Sequence, residues 1–289
     1  CITQLVSHPS LDQVYAGIRD VLEDEGICSE KSIVYKIAYG NIATSTQIAQ
    51  AFIDEHPDVI VSISTPSAQT TKAALKEEPI PHVFTAVTDP VSAGLLKDLK
   101  PTKYRVGVLD TPPLDETLRL IKVIKPDTKV IGLLYNPGET NSVTTIKKLT
   151  QLAQSQGLSV IANTVTNSTE VMMVVTRLAE KADIIYVPQD NVVVSAMQTV
   201  AKVAKDHKIP VVTADSGSIQ NGALVTVGID YYKIGRQTGE IVLEYLKDQE
   251  ALLETQAPRT SHSYINASTE QALGLNIQDK LPQPVTVYP

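Results

Sequence analysis

Two groups of polar residues in this sequence could bind a charged small molecule, and the groups differ in charge. The first is the turn STPSAQ at residues 64–69, which carries hydroxyls and no charge and joins an apolar run to a helical pattern. Hydroxyls and free amides at a helix N-terminus suit an anion such as a carboxylate. The second group is acidic and comprises Glu139, Asp190 and Asp215, which together suit an ammonium group. An α-amino acid carries both charges.

Each of these residues also has a purely structural interpretation. Thr65 or Ser67 would be a favourable N-cap for the helix that follows. Asp190 is an equally good N-cap for the next helical pattern, and Asp215 would order a turn rich in Ser and Gly. Glu139 would interact favourably with a helix dipole. Both interpretations stay open on these residues alone.

Apolar β-branched runs alternate with helical patterns along almost the whole chain, which is typical of an α/β protein with parallel sheets buried on both faces. Strands are predicted at 1–6, 33–38, 58–64, 82–87, 105–109, 129–135, 158–164, 183–187, 209–214, 223–227 and 262–266. Helices are predicted at 10–25, 44–56, 67–77, 114–124, 139–156, 169–181, 191–207 and 231–248.

The strands fall into two series, which predicts two doubly wound parallel-sheet lobes. Residues 110–113 break the pattern, because paired prolines continue neither a strand nor a helix. A second irregular stretch, 228–230, precedes a long helix. We therefore expect one lobe at 1–110 plus 229–252 and the other at 111–228 plus 253–289. A hinge of about three crossovers would join them, with a ligand cleft between the lobes.

The turns after the strands are the places to look for a ligand, because open α/β sheets bind ligands beyond the carboxyl ends of their strands. On this argument the first lobe offers residues 3–4, 64–69 and 85–90, and the second offers 135–142, 188–191 and 215–218. In the turn 85–90 Asp89 precedes a proline, so a role in the turn itself is the alternative for it.

Composition excludes several classes of function. The net charge is −7 with no basic block, which argues against nucleic acid as a partner. Cys1 and Cys28 are too few for a disulfide framework and show no metal-ligand spacing, and no nucleophile elbow, phosphate loop or dinucleotide fingerprint occurs. A two-lobed amino-acid racemase would need one cysteine from each lobe, whereas both lie within the first 28 residues. We therefore expect a binding protein without catalysis, cofactor or metal.

The start of the sequence suggests a mature chain from which an export signal has been removed. Cys1 invites the interpretation of a lipid-bearing terminus, but residues 1–6 themselves have the pattern of a first strand. We therefore expect Cys1 to lie inside that strand.

Six segments of the sequence resemble, in order and spacing, the substrate-binding proteins of ABC transporters in the tryptophan/tyrosine-type uptake family. They are ITQLVSHPSLD, STPSAQ, VFTAVTDPVSAGL, IGLLYNPGETNSV, YVPQDNVVVSA and GIDYYKIGRQTG, and they span nearly the whole chain. The resemblance implies the first type of periplasmic-binding-protein fold, closing around a ligand. It also implies an extracytoplasmic protein, expected to be monomeric, that delivers an aromatic amino acid to a membrane permease.

The same resemblance implies a set of ligand-binding residues. Relatives often carry DTDSV where this chain has DSGSI at 215–219, so a second acidic residue is missing and the share of Asp190 and Asp215 in amine recognition stays open. The implied set is Gln4, Thr65, Ser67, Ala68, Thr88, Asp89, Asn136, Glu139, Ser142, Asp190, Asn191 and Asp215.

Two other functions remain as alternatives. The effector-binding domain of a transcription regulator shares this fold and would carry a basic helix-turn-helix upstream. A small-molecule enzyme would turn its ligand over.

Overall fold

The computed structural model describes residues 1–27, 32–76, 78–259 and 261–289, so Cys28 and the predicted end of a helix at residue 77 lie outside the described residues. The chain divides into two compact units, Cys1–Thr111 with Asp230–Thr260, and Pro112–Ile229 with Ser261–Pro289. It passes from one unit to the other three times. The boundary predicted at residue 252 differs from the observed one, because the segment after it pairs with a strand of the first unit through Leu109 and Gln256.

The first unit is built on a five-stranded sheet in which every neighbouring pair is parallel, in the order β2-β1-β3-β4-β5. Its strands are β1 (Ile2–Gln4), β2 (Tyr35–Ile37), β3 (Ile60–Ile63), β4 (His82–Val87) and β5 (Arg105–Leu109). Its helices are α1 (Pro9–Asp24), α2 (Ile42–Asp54), α3 (Thr65–Leu75) and, late in the chain, α10 (Tyr231–Lys247).

The second unit is built on a seven-stranded sheet in the order β12-β11-β10-β9-β8-β6-β7. Its strands are β6 (Val130–Tyr135), β7 (Ser159–Thr164), β8 (Ile184–Val187), β9 (Val211–Thr213), β10 (Val225–Ile229), β11 (Ser261–Asn266) and β12 (Val285–Tyr288). Its helices are α4 (Leu114–Ile124), α5 (Thr140–Ser155), α6 (Val171–Ala179), α7 (Asn191–Ser195), α8 (Met197–Asp206), α9 (Gly217–Gln220) and α11 (Ala267–Ala272). Short 3₁₀ turns lie at Ser168–Glu170 and Gln278–Lys280.

The two sheets share one winding pattern, which decides where a ligand would bind. Five strands of the second unit, β7-β6-β8-β9-β10, repeat the order β2-β1-β3-β4-β5 of the first. In each, the strand order reverses between the first and third strands of the series, so the crevice of a doubly wound sheet falls between β1 and β3 and between β6 and β8. The α/β class and the largely parallel, doubly wound sheets are thereby confirmed.

Helices α1 and α10 hold the late segment of the chain on the first unit. Each helix presents an apolar stripe at helical spacing, for example Val14 and Ile18 on α1 and Ile234 and Ile241 on α10, and all four are buried. The two helices approach so closely that a Cβ on Gly17 would lie 2.2 Å from the backbone oxygen of Tyr232. Glycine is required at this crossing by the space available.

Replacing Gly17 with alanine is expected to destabilise the protein by about 1–2 kcal/mol. Alanine normally stabilises a helix interior by about 1 kcal/mol relative to glycine. A decrease in the free energy of unfolding would therefore come from the steric conflict with α10. Urea unfolding followed by circular dichroism measures the change. An increase in the free energy of unfolding would contradict the close packing.

Several predicted elements differ from the observed ones. The predicted helix 191–207 is interrupted at Ala196, because three successive valines, 192–194, have low helix propensity and the Ser195 hydroxyl donates to the Val192 carbonyl. Strand β1 ends at Gln4, short of the predicted residue 6, and Cys1 precedes it while its carbonyl still accepts from Val61 N–H.

The end of the chain departs most from prediction. Strand β11 is antiparallel to β10. A parallel strand would need a crossover that returns the chain to the end of the sheet where β10 begins. The helix between β10 and β11 is α10, which belongs to the first unit. Strand β12 and helices α9 and α11 were not expected. In the described part of the chain, no helix is long and apolar enough to cross a membrane, and no cluster of three His, Cys, Asp or Glu residues forms a metal-binding group.

Candidate functional site

The turn between β3 and α3 presents three buried hydroxyls at the reversal point of the first sheet. Ser64, Thr65 and Ser67 are each at most 2% exposed, and their hydroxyls have no hydrogen-bond partner among the described residues. The first-turn amides of a helix also lack acceptors within the helix, so these hydroxyls and the amides of Thr65 and Ser67 form a cluster of donors. Buried polar groups without partners are rare in proteins, and this cluster suits an anion.

The backbone of this turn is strained. Ser64 has φ 92° and ψ 156°, a region that is populated almost only by glycine and typically costs about 1–3 kcal/mol. The structural alternative was that Thr65 or Ser67 caps α3, but the N-cap position is occupied by Ser64, and no side-chain capping bond is made there. A cap therefore does not account for the hydroxyls in this turn.

Two predicted site residues, Gln4 and Ala68, lie beside this turn and are fully buried. Gln4 ends β1, and its Nε2 donates to the Val6 carbonyl at 2.8 Å and to Asp12 Oδ1 at 2.7 Å, while its Oε1 accepts from Tyr35 Oη at 2.8 Å. Both amide hydrogens of Gln4 are thus used within the first unit. Ala68 packs in a small apolar cluster with Phe84.

Thr88 and Asp89 follow β4, which lies next to β3. The Thr88 hydroxyl donates to Asp110 Oδ1 at 2.9 Å, and Asp110 Oδ2 accepts from the Tyr231 hydroxyl at 3.1 Å. Asp89 Oδ1 accepts from Ser92 N–H at 3.0 Å and so orders the turn that contains it. Asp89 therefore has the role in its own turn that was the alternative to ligand binding.

In the second unit, Asp190 joins the two strands at the reversal point. Its Oδ2 accepts from the Asn136 N–H at 2.6 Å, which connects the ends of β6 and β8. Its Oδ1 accepts from Val193 N–H at 3.0 Å and caps α7, as its structural interpretation predicted, and the Ser142 hydroxyl also bonds to it. Asp190 is fully buried, and this burial raises the pKa of its carboxyl.

Glu139 lies against the same helix start and is also buried. Its carboxylate accepts from the Asn191 N–H at 3.1 Å, from Asn191 Nδ2 at 2.5 Å and from the Val192 N–H at 3.2 Å. Burial, followed by the charge of Asp190, raises the pKa of Glu139 to about 8, whereas the bonds from Asn191 act in the opposite direction. No positively charged side chain of the described residues acts on Glu139, so the two neighbouring carboxyl groups do not both fully ionise at neutral pH.

Asn141 supplies a further unsatisfied group in this cluster. Its Nδ2 donates to the Gln189 carbonyl at 2.6 Å and lies 3.4 Å from Glu139 Oε2. Its Oδ1 is buried and has no hydrogen-bond partner within the described parts of the chain. The cluster thus presents two carboxyl groups and one amide oxygen, an acceptor set that suits an ammonium group.

Asp215 follows β9, the counterpart of β4 in the shared winding pattern. Its Oδ1 accepts from the Thr213 hydroxyl at 2.7 Å and the Ser218 hydroxyl at 2.6 Å, and its Oδ2 accepts from the Ser218 N–H at 2.9 Å. Asp215 therefore orders its turn, and three of its lone pairs are used internally.

Of the predicted residues, Thr65 and Ser67 belong to a donor set at the reversal point of the first sheet, and Glu139 and Asp190 belong to an acceptor set at the reversal point of the second. The side chains of Gln4, Thr88, Asp89 and Asp215 bond within their own units. The implied ligand-binding set omits two polar residues of these sets, Ser64 and Asn141. It also omits Asp110, which accepts from Thr88, and Tyr231, which donates to Asp110. Asp110 follows a strand end directly, as the predicted residues do, so the same rule could have found it. Nothing in the sequence distinguished Ser64, whose importance rests on its backbone conformation.

Comparisons with known proteins agree with the fold. The family model of the ABC transporter substrate binding protein matches residues 1–286. The chain is 41% identical over 249 residues to a tyrosine-binding protein of Clostridioides difficile strain R20291, covering 85% of this chain and 72% of that protein. A solved ABC domain in complex with L-Trp from Streptococcus pneumonia is 33% identical with a TM-score of 0.92, covering 99% of this chain and 98% of that one.

A third relative is a substrate binding protein with adhesive properties from Clostridium difficile, solved in a ligand-free, open form. It is 35% identical to this chain with a TM-score of 0.72, covering 99% of this chain and 97% of that one.

Proposed function

Since this chain belongs to the family of ABC transporter substrate binding proteins, we propose that it is the extracytoplasmic binding component of an ABC importer and that its ligand is an aromatic amino acid. Relatives that bind tyrosine and tryptophan support this choice of ligand. The protein acts without a cofactor, as a monomer, and delivers its ligand to a membrane permease.

One observation carries the proposal: within the described ranges, buried donors without partners lie in one unit, and two buried carboxyl groups without a countercharge lie in the other. The hydroxyls of Thr65 and Ser67 and the first amides of α3 receive the ligand carboxylate. Glu139 and Asp190 receive its ammonium group. Hydrogen bonds to charged groups in a dehydrated site are about twice as strong as neutral ones. The ligand carboxylate supplies the acceptor that the donor set lacks, and the ligand ammonium supplies the positive charge that the acceptor set lacks.

Closure of the two units around the ligand would expel water from both sets. The ligand would favour the closed form because only that form satisfies both of its charges, which is a shift of population by differential affinity. The permease would then recognise the closed form.

The direct test is titration calorimetry of the purified protein with L-tryptophan, L-tyrosine and L-alanine. The chain contains no tryptophan, so the fluorescence of L-tryptophan, excited beyond the absorption band of the eleven tyrosines, reports its binding. We expect micromolar or tighter binding of at least one aromatic amino acid and much weaker binding of L-alanine. Binding of none of them would contradict the proposal.

Replacing Ser67 with alanine separates ligand recognition from stability. In the ligand-free protein the substitution removes a buried hydroxyl without a partner, so thermal stability should be unchanged or slightly higher. Affinity for L-tryptophan should fall about tenfold, because a hydrogen bond to the carboxylate is lost. A variant that loses stability and keeps its affinity would show that the hydroxyl is structural.

A further inference from the structure

Asp110 lies where two connections between the units meet the first unit. It directly follows β5 and precedes Thr111, the last residue of the first unit before the first passage. Tyr231 is the second residue of the first unit after the next passage, and its hydroxyl donates to Asp110 Oδ2 at 3.1 Å. One carboxylate therefore contacts both connecting segments.

The same carboxylate also holds the predicted ligand-binding turn. Asp110 Oδ1 accepts from the Thr88 hydroxyl at 2.9 Å, and Asp110 N–H donates to the Val87 carbonyl at 3.2 Å. Thr111 adds a second bond, from its hydroxyl to the Thr88 carbonyl at 2.7 Å. Asp110 and Tyr231 are at most 3% exposed, so water does not compete for these bonds.

We propose that Asp110 is a positioning residue that couples the ligand-binding turn at Thr88 to the first two connections between the units. The proposal rests on the proposed function, since it concerns a residue of that binding site. Rotation about residues 111–112 or 229–231 changes the geometry at Asp110, and Asp110 passes the change to Thr88. By the same bonds, a ligand that fixes Thr88 restrains both connections.

The chemistry of the bridge explains why a carboxylate is suited to this place. A carboxylate accepts on both oxygens at once, so two hydroxyl donors from distant parts of the chain, Thr88 and Tyr231, bond to one side chain without competing. Charge-assisted bonds of this kind are shorter and stronger than neutral ones, which keeps the three segments in one arrangement.

The variant Tyr231→Phe tests the coupling, with Tyr245→Phe as a matched control. Both residues are buried tyrosines on α10, but the Tyr245 hydroxyl has no hydrogen-bond partner in the described structure. Phenylalanine keeps the ring in each case. We expect Tyr231→Phe to raise the Kd for L-tryptophan about three- to tenfold, mainly through faster dissociation, and Tyr245→Phe to leave both unchanged.

A ligand-free measurement keeps this test independent of the proposed function. Hydrogen exchange of the amides at 88–89, 91–93 and 110–111 is expected to be faster in Tyr231→Phe than in wild type and unchanged in Tyr245→Phe. If wild type binds no aromatic amino acid, the proposed function fails and the exchange measurement still decides the bridge. Equal exchange in Tyr231→Phe and wild type would overturn the proposal, as would a loss of thermal stability with unchanged Kd and dissociation rate.

Discussion

The Asp190→Ala variant is expected to bind L-tryptophan about 10 to 150 times more weakly than the wild-type protein. In the proposed function the substitution removes a carboxylate that receives the ligand ammonium, and a hydrogen bond to a charged group contributes about 1.5–3 kcal/mol. It also leaves the amides of Asn136 and Val193 without their acceptor. The ends of β6 and β8 would therefore be held less firmly, which weakens the same site indirectly.

A capping control separates ligand recognition from the loss of helix stability. Asn41 caps α2 through the Thr44 N–H and is exposed, so Asn41→Ala should cost about 1 kcal/mol of stability and leave the affinity unchanged. Calorimetric titration and thermal unfolding of both variants provide the comparison. If Asp190→Ala binds as tightly as Asn41→Ala, then Asp190 serves α7 alone.

The affinity for an aromatic amino acid is expected to increase as the pH rises from about 6 to 8. In the ligand-free protein the pKa of Glu139 is about 8, far above its ordinary value of 4.5, because of burial and the charge of Asp190. The ligand ammonium favours the ionised carboxylate, so binding releases a proton. Affinity should then fall by up to about tenfold for each pH unit below 8. Titrations in phosphate and Tris buffers measure the released proton directly.

The same residue predicts how stability depends on pH. Because the pKa of Glu139 is raised in the folded state, its contribution to stability is fully present below about pH 4.5 and is lost as the pH rises through 8. The Glu139→Gln variant carries no titrating group at this position, so both its stability and its affinity should vary less across this range. A wild-type affinity that is constant from pH 6 to 8 would show that no proton is released at this pair.

The sequence was sufficient for those features that depend on local pattern. Alternating apolar runs and helical spacing located most strands and helices. The rule that ligands bind at the carboxyl ends of strands selected Thr65 and Asp190, and both lie in turns that follow strands, where the rule places them. Strand β12 and the antiparallel direction of β11 escaped prediction, because they depend on a chain that returns from the other unit. Long-range pairing of this kind leaves no short-range signal.

The chemistry of the individual groups was harder to predict than their positions. The structural alternative for Glu139 was the dipole of its own helix, whereas its carboxylate accepts from the start of α7, more than fifty residues further along the chain. The raised pKa follows from burial beside Asp190, which only the tertiary structure brings about. The hydroxyls of Thr65 and Ser67 likewise could not be predicted to lack hydrogen-bond partners, because the composition of their turn equally suits a helix cap.

The threefold passage of the chain between the units has a consequence for synthesis. On a chain emerging from its N-terminus, the first unit lacks α10, which packs along α1, until residue 247 has been made. The second unit lacks β11 and β12 until residue 288 has been made. Neither unit can therefore complete its core as an early, independent product. Folding of both units therefore waits for segments that follow the second and third passages between them. Under the proposed function, this delay would favour export of the chain before its structure has formed.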